Sequence, residues 1–101
     1  MTTVPPTFDP VVHAPNRLQL CALLAPVDDV DFATLRAALG VSDSVLSKHL
    51  RVLEEAGYLR LAKATVTGRV RTRASLTEAG RGAFAGHVAE LQRLLSVAPV
   101  P

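Results

Sequence analysis

Residues 42–76 of this chain read SDSVLSKHLRVLEEAGYL followed by RLAKATVTGRVRTRASL. The first part has the spacing of a helix with one apolar face and one polar, basic face. The second part alternates basic and small residues about Thr67-Gly68, a pair suited to a tight turn. This stretch therefore predicts a helix followed directly by a basic β-hairpin.

The predicted helix covers residues 43–56, and its two faces differ in chemistry. Successive residues of a helix are rotated by about 100°, which places Leu46, Leu50 and Leu53 together on an inner face. The opposite face carries short hydroxyls and long cations, namely Ser44, Ser47, Lys48 and Arg51. Ser42 precedes the helix and is suited to cap it. Because serine is a weak helix former, its repetition on the outer face favours close approach to a partner over simple solvation.

The hairpin is predicted from two strands, residues 59–66 and 69–76. The two-residue period of a strand places Arg69, Arg71 and Arg73 on one face. Three arginines without a counter-charge repel one another, whereas a phosphate backbone would favour their positions. A merely solvated edge strand is the alternative interpretation.

Two further helices are predicted ahead of this stretch. Pro15 suits a first helical turn, and an apolar stripe at helical spacing follows it until Pro26. Asp31 is a good N-cap for a second helix, which Gly40 can end in a left-handed conformation. The short turn from Gly40 to Ser42 then joins the second helix to the third, so a helix-turn-helix is expected.

The last predicted helix covers residues 77–95, with Thr77 as its cap. Its apolar side chains recur at spacings of four, three and four residues, namely Phe84, Val88, Leu91 and Leu95. That spacing is typical of a seam between two helices. We expect this stripe to be partly a homodimer interface, and the alternative is that it packs on the first helix of the same chain.

Composition and charge limit the class of protein. With 101 residues and 49% hydrophobic content, the chain suits one small domain and leaves no room for a separate catalytic or sensing domain. The net charge of +2 conceals an asymmetry, because residues 1–43 hold two basic and five acidic side chains. Residues 44–76 hold seven basic and two acidic side chains. Such local positive charge predicts nucleic acid as a partner, with a solvated basic face as the alternative.

The ends of the chain are predicted to lie outside this domain. Residues 1–12 contain three prolines and are expected to form a flexible, extended arm; residues 13–95 form the domain and residues 96–101 a tail. The chain begins without the features of a signal peptide, and no stretch approaches the roughly 20 apolar residues needed to span a bilayer. We therefore expect a soluble, cytoplasmic protein without a membrane partner.

Few residues have metal or redox chemistry. Cys21 is the only cysteine, which excludes an internal disulfide and CxxC motifs, and its apolar neighbours predict a buried structural thiol. His13, His49 and His87 are far apart in the sequence and lack a carboxylate cluster, so each is expected to be a surface or packing residue. No metal site and no cofactor are predicted.

Three segments together resemble a known family: HAPNRLQLCALL (13–24), DFATLRAALGVSDSVLSKHLRVLEEAGYL (31–59) and, after a basic wing, LTEAGR (76–81). Over about residues 13–95 the chain resembles small winged-helix transcriptional regulators related to the MarR-like and ArsR-like repressors. The resemblance implies an α+β, mainly α fold: a winged helix-turn-helix with a three-helix core, a β-hairpin wing and a C-terminal dimerisation helix. It assigns the helix-turn-helix to Phe32–Ala56, the recognition helix to Ser42–Ala56 and the wing to Lys63–Arg73. Such proteins usually bind operator DNA as homodimers.

The chain departs from these families in three respects. The cysteine pair of ArsR-like metal sensors is absent. The acidic residue that usually precedes the tip arginine of a MarR-like wing is also absent from Thr67-Gly68-Arg69, which weakens the expected DNA contact of Arg69. MarR-like proteins enclose small ligands between long helices, and this chain is too short for such helices. Whether a small molecule controls the protein is therefore unknown.

We therefore predict sequence-specific binding of double-stranded DNA by a homodimer that regulates transcription. The recognition helix would present these side chains to the major groove: Ser42, Ser44, Ser47, Lys48 and Arg51. The wing would place these on the backbone or in the minor groove: Lys63, Arg69, Arg71 and Arg73. The alternative is a winged-helix adaptor for protein–protein interaction without specific DNA binding. An enzyme is not expected, because the sequence has no paired carboxylates, no interpretable Ser-His-Asp grouping and no Gly-rich phosphate loop after a strand.

Overall fold

Residues 4–96, the part of the chain that the computed structural model describes, form five helices and a three-stranded antiparallel sheet. The elements follow in the order α1 (Pro10–His13), α2 (Pro15–Leu24), β1 (Val30–Asp31), α3 (Phe32–Leu39), α4 (Asp43–Glu55), β2 (Leu59–Val66), β3 (Arg69–Leu76) and α5 (Glu78–Leu95). None of the helices within residues 4–96 is long and apolar enough to cross a membrane. The predicted α+β, mainly α winged helix-turn-helix is confirmed.

The three side-chain caps that the sequence predicted lie at the starts of α3, α4 and α5. They accept hydrogen bonds from backbone amides at 2.7 to 3.2 Å: Asp31 from Thr34, Ser42 from Val45 and Thr77 from Gly80. Gly40 ends α3 in the left-handed region with φ 67°, which glycine adopts without steric cost. The predicted and observed helix ends agree within one residue for α4, which ends at Glu55, and for α5, which begins at Glu78.

The predicted hairpin is also confirmed. Strands β2 and β3 pair in one continuous register from Leu59 opposite Leu76 to Val66 opposite Arg69. The two tip residues, Thr67 and Gly68, both have positive φ, 53° and 76°. That conformation belongs to a two-residue turn whose twist matches the twist of the strands it joins.

Strand β1 is an element that the sequence did not predict. Val30 pairs with Ala74 and Asp31 with Arg73, so β1 lies beside β3, which becomes the central strand of the sheet. Two residues are too few to show the alternation by which strands are recognised in a sequence. This pairing brings the acidic segment before α3 next to the wing.

The hydrophobic core lies where the helices meet the sheet. Leu46, Leu50 and Leu53 on the inner face of α4 retain 0%, 2% and 0% of their accessible surface. The other core residues surround this face: Val12, Leu20, Cys21, Leu24, Leu35, Leu59, Ala74 and Leu76. Burying a leucine contributes about 1.5–3 kcal/mol, so this face fixes the rotation of α4 about its axis.

The N-terminal segment differs from the predicted extended arm. From Pro10 onward it is helix α1, which Asp9 caps by accepting hydrogen bonds from the amides of Val11 and Val12. Val12 is fully buried in the core. The prediction of an extended conformation is therefore wrong for residues 10–12. The sequence does not indicate this helix because four residues are too few to show a periodic pattern. Residues 1–3 of the predicted arm and 97–101 of the predicted tail lie outside the described residues.

Two glycines of α5 allow other segments to approach the helix closely. A Cβ atom at Gly80 would lie 2.0 Å from the backbone carbonyl oxygen of Tyr58, and one at Gly86 would lie 3.2 Å from that of Pro5. Glycine lowers helix propensity by about 1 kcal/mol relative to alanine. The close packing explains why α5 contains these residues in spite of that cost.

We predict that Gly80→Ala destabilises the domain, because the added methyl group would overlap a backbone carbonyl that cannot move aside like a flexible side chain. The expected loss in the free energy of unfolding is about 1–3 kcal/mol or more. Gly82→Ala is the matched control on the same helix, since its Cβ would meet nothing within 4 Å, and it should raise stability by up to about 1 kcal/mol. Urea denaturation measures both, and equal stabilities of the two variants would contradict the close packing at Gly80.

Candidate nucleic-acid interface

The outer face of α4 is open to solvent along its length. Ser44, Ser47, Lys48 and Arg51 are all exposed, opposite the buried leucines. Ser42 is exposed as well, and its Oγ accepts the cap hydrogen bond from Val45, which leaves its hydroxyl proton able to donate elsewhere. The face therefore offers donors, acceptors and positive charge on a rigid helix.

An ion pair connects the two helices of the helix-turn-helix. Arg36 in the last turn of α3 donates to the carboxylate of Asp43 in the first turn of α4, at 2.8 Å. Asp43 also lies at the helix end where a negative charge is favourable. This pair could not be predicted from the sequence, because it depends on how the two helices cross.

The surface between α4 and the wing is concave. One depression of about 560 Å³ includes Ser47, Arg69 and Arg71 among its lining residues. A second, of about 460 Å³, includes Ser47, Arg51 and Lys63. The structure thus brings together five of the predicted site residues, from α4, β2 and β3, along one groove, which we call the helix–wing groove. Four other predicted residues are not among those lining these two depressions: Ser42, Ser44, Lys48 and Arg73.

Two of the three wing arginines have carboxylate partners. Arg71 lies 3.2 Å from Oδ2 of Asp31, and Nε of Arg73 lies 2.6 Å from Oδ1 of Asp29. The prediction of an arginine face without counter-charge is therefore wrong, and the reason is strand β1, which carries Asp31 and follows Asp29 directly. The pKa of Asp31 is lowered, first because the Thr34 amide donates to its carboxylate, and further by Arg71 and Arg73.

Arg69 differs from its two neighbours on the strand. It is exposed at the tip of the wing and has no ion-pair partner among residues 4–96. Arg71 and Arg73 remain partly accessible, with 47% and 38% of their side chains exposed. Surface ion pairs of this kind are worth about 1 kcal/mol or less, so a phosphate group can replace the carboxylate partner.

His49 packs α4 against α2. Its Nε2 lies 3.3 Å from the side-chain amide of Asn16, and its Nδ1 lies 3.4 Å from the guanidinium of Arg17. Burial lowers the pKa of His49, and the cations Arg17 and Lys48 lower it further. The predicted packing role of this histidine is confirmed.

His13 and His87, in contrast, are not separate in the folded chain. Nδ1 of His13 lies 3.0 Å from Nε2 of His87, and His87 is completely buried. This contact could not be predicted from the sequence because the two residues lie on α1 and α5, at opposite ends of the domain sequence. Among residues 4–96 no group of three or more metal-ligating side chains is placed to hold an ion.

The apolar stripe of α5 is divided along its length. Phe84 packs on the core, and Val88 and Leu91 are half-buried, whereas Leu95 is 84% exposed. A shallow depression of about 490 Å³ lies between the end of α2 and this stripe, with Phe84 and Val88 in its lining. Packing on the same chain therefore accounts for the first part of the stripe and leaves the last turn of the helix open.

Cys21 of α2 lies in the hydrophobic core, as predicted. Burial raises the pKa of its thiol to about 11, and the negative charge of Asp9 adds to this effect. A thiol with such a pKa is a weak nucleophile at neutral pH. Cys21 is therefore a packing residue rather than a reactive one.

Comparison with known proteins agrees with the geometry. The model of a family described as a winged helix DNA-binding domain matches residues 16–95. An uncharacterized protein of Methanocaldococcus jannaschii is 35% identical over 78 residues, which cover 77% of this chain and 85% of that protein. The structure of a transcriptional regulator homologue from Pyrococcus horikoshii OT3 is similar with a TM-score of 0.79 at 25% identity, over 84% of each chain. Adhesin competence repressor of Streptococcus pyogenes is similar with a TM-score of 0.65 at 25% identity, over 83% of this chain and 61% of that one.

A recognition helix beside a basic wing defines the class of winged-helix DNA-binding regulators. This chain belongs to the winged helix DNA-binding domain family. Among its structural neighbours, the zinc-responsive ZitR of Lactococcus lactis is a MarR family member, similar with a TM-score of 0.63 at 25% identity over 82% of this chain and 56% of that one. The resemblance read from the sequence is confirmed, and the family is one of regulators rather than enzymes.

We predict that Cys21 reacts with a thiol reagent such as Ellman's reagent only when the protein unfolds. Because its pKa is raised from 9.0 to about 11, the native thiolate population near pH 8 is smaller by about a hundredfold than in the unfolded chain, and burial limits access as well. The rate of absorbance change in buffer and in guanidinium chloride measures the difference. Similar rates in the two solvents would contradict the buried, protonated thiol.

Proposed function

We propose that this protein binds duplex DNA sequence-specifically as a homodimer and regulates transcription by occupying a promoter. The observation that carries the proposal is the helix–wing groove, where Ser47 and Arg51 of α4 face Lys63 and Arg69 of the wing. Four cations line the two depressions, Arg51, Lys63, Arg69 and Arg71, and so do three carboxylates, Asp31, Asp43 and Glu54. The concave shape and the excess of positive charge suit a phosphate backbone that passes between helix and hairpin. Membership of a DNA-binding family supports the same assignment.

The recognition helix is the part assigned to base readout. Its exposed residues are Ser44, Ser47, Lys48 and Arg51, with Ser42 at the helix start. Arginine and lysine donate to the O6 and N7 acceptors of guanine in the major groove, and serine hydroxyls bond to either partner of a base pair. Arg51 is the side chain with the geometry for a bidentate contact, and we assign to it the largest share of base preference.

The wing is the part assigned to the sugar-phosphate backbone or the minor groove. Among its arginines, Arg69 is free of an ion pair within the described residues, whereas Arg71 and Arg73 must exchange a carboxylate for a phosphate. We therefore assign the strongest contact to Arg69, contrary to the expectation from the sequence. Lys63 on the opposite strand, paired with Thr72, adds a second positive charge to the groove.

The homodimer is supported by the end of α5. Leu94 and Leu95 are 48% and 84% exposed, which is unfavourable for neighbouring leucines on a helix in water. A second copy of α5 would cover them and continue the stripe of Phe84, Val88 and Leu91. Two recognition helices about 34 Å apart would then read a pseudo-palindromic site across one turn of DNA.

Selection of bound duplexes from a random pool, at a stated moderate salt concentration, tests the proposal directly. A two-fold symmetric motif is the expected result, because each protomer would read one half-site. Recovery of no motif, with only weak and steeply salt-dependent binding, would favour a protein-interaction adaptor over this function.

We predict that two arginine substitutions separate base readout from backbone contact. Arg51→Ala should cost about 1–3 kcal/mol on the preferred site and relax the preference at one position of each half-site. Arg69→Ala should weaken binding to all sequences alike and reduce the salt dependence by about one phosphate contact per protomer. Fluorescence anisotropy over a salt series measures both effects.

The matched control for these variants is Arg60→Ala, which removes the same charge from an exposed residue that is not among the lining residues of the helix–wing groove. It should change affinity much less than either variant. If Arg51→Ala and Arg69→Ala behaved like this control, the assignment of contacts would be wrong.

We also predict that removal of the carboxylates beside the wing strengthens DNA binding. Asp29→Asn together with Asp31→Asn would release Arg73 and Arg71 for phosphates, while asparagine at position 31 preserves the N-cap of α3. Affinity should rise, and the slope of log affinity against log salt should steepen by about one to two charges per protomer.

Asp28→Asn is the control for this double variant, since it removes a neighbouring negative charge that forms no ion pair within residues 4–96. Its effect on the salt slope should be small. If Asp28→Asn changed the salt slope as much per removed charge as the double variant does, net charge rather than release of the arginines would account for the change in affinity.

A further inference from the structure

The buried histidine of α5 holds the N-terminal segment through both of its ring nitrogens. Nδ1 of His87 accepts a hydrogen bond of 2.9 Å from the backbone amide of Asp9. Nε2 of His87 lies 3.0 Å from Nδ1 of His13. The ring of Phe8 lies against both imidazoles, with centroids 4.8 Å from His13 and 4.9 Å from His87.

These contacts allow one protonation state. The amide of Asp9 is always a donor, so Nδ1 of His87 must be without a proton and Nε2 must carry it. That N–H then donates to Nδ1 of His13, which must also be without a proton. Both imidazoles are therefore neutral in this arrangement.

An added proton on either ring opposes the contact. Protonation of His13 at Nδ1 would direct its N–H at the N–H of His87, and protonation of His87 at Nδ1 would direct its N–H at the amide of Asp9. Each case puts two donors face to face, and no exchange of tautomers removes the conflict. The arrangement differs in this respect from a histidine that gains a carboxylate partner when it is protonated.

The charged groups near the pair are occupied elsewhere. The Asp9 carboxylate accepts from the amides of its own helix cap and from the Tyr58 hydroxyl at 2.6 Å. Glu90, one turn along α5, is bonded to Arg93 at 2.7 and 2.8 Å. The pKa of His87 is lowered, first by burial and then by His13, and the opposing effects of Asp9 and Glu90 are smaller.

The same segment also contacts α5 at Gly86, beside His87. The Thr7 amide donates to the carbonyl of Gly86 at 3.0 Å, and a Cβ at Gly86 would lie 3.2 Å from the carbonyl oxygen of Pro5. The backbone of the segment therefore lies directly on the helix next to His87. Residues 10–13 are held in addition by the buried Val12 and by Arg17, which donates to the Val11 carbonyl. Residues 4–9 depend on the backbone contacts with α5, the histidine pair and the bond from the Tyr58 hydroxyl to the Asp9 carboxylate.

We propose that His13 and His87 form a proton-operated latch, which holds residues 4–9 on α5 while both imidazoles are neutral and releases these residues when either one gains a proton. The latch connects to the recognition helix through a series of side chains. The Val11 carbonyl accepts from Nε of Arg17 at 2.6 Å, and the guanidinium of Arg17 lies 3.4 Å from His49 of α4. The latch does not depend on the proposed DNA binding.

The direction of the pH effect follows from the lowered pKa of His87. Because the folded protein binds a proton there less readily than the unfolded chain, the stability of the latched form is complete above the ordinary value of 6.5. It is lost as the pH falls from that value through the lower pKa of the folded state. Mildly acidic conditions therefore open the latch.

Amide hydrogen exchange of the full chain, followed by NMR at about pH 7.5 and about pH 5.0, tests the proposal. The protection factors of the Thr7 and Asp9 amides should fall in acid by up to about thirtyfold, the ratio of protonated to neutral imidazole at about pH 5.0 for a released histidine with the ordinary pKa of 6.5. His13→Gln with His87→Gln should abolish this loss, since a glutamine offers one acceptor and one donor that do not titrate. His49→Gln is the control, and it should respond to acid like the wild type.

A measurement on the wild type keeps the test independent of the folding of the double variant. Long-range proton–nitrogen correlation spectra of the imidazoles should show a bare Nδ1 and a protonated Nε2 in His87 at about pH 7.5. Titration of the histidine pair should then coincide with the loss of protection at Asp9. Protection that persisted after the pair was protonated, or an acid response retained by the double variant, would overturn the latch.

Discussion

Burial of Leu46, Leu50 and Leu53 is the constraint on which the rest of the structure depends. Three leucines on one helix face contribute several kcal/mol, whereas rotation of α4 that buried Lys48 or Arg51 would place an unpaired charge in the core at a much larger cost. The helix therefore has one acceptable orientation about its axis. The caps and the Arg36 ion pair refine its position, but the outward direction of its polar face follows from the leucines alone.

The strand order of the sheet is a second, weaker constraint, which determines the partners of the wing arginines. Because β3 lies between β1 and β2, its arginine face meets the carboxylates that precede α3. The two arginines are roughly half exposed, and each pair contributes about 1 kcal/mol or less. The acidic and basic halves of the sequence, which looked like a simple asymmetry, are thus partly neutralised by contact.

Most of the fold could be predicted because its signals are local. The α4 stripe, the caps at Asp31, Ser42 and Thr77, and the Thr67-Gly68 turn each depend on residues within a few positions of one another. Strand β1 and helix α1 could not be predicted, since two and four residues are shorter than a readable period. For the candidate site, the exposed face of α4 followed from the same stripe. The state of the wing arginines did not follow, because their partners lie about 40 positions away.

The sequence by itself determined which residues form the four longer helices and the two strands of the hairpin, which faces they bury, and that a polar, basic surface remains on α4 and the wing. Those properties follow from periodicity and capping, which act between near neighbours along the chain. Only the tertiary structure decided that Asp29 and Asp31 hold two of the wing arginines, and that His13 meets the buried His87. Ion pairs and hydrogen bonds act over a few ångströms in space, so residues remote in the sequence can form them only after the core has brought their elements together.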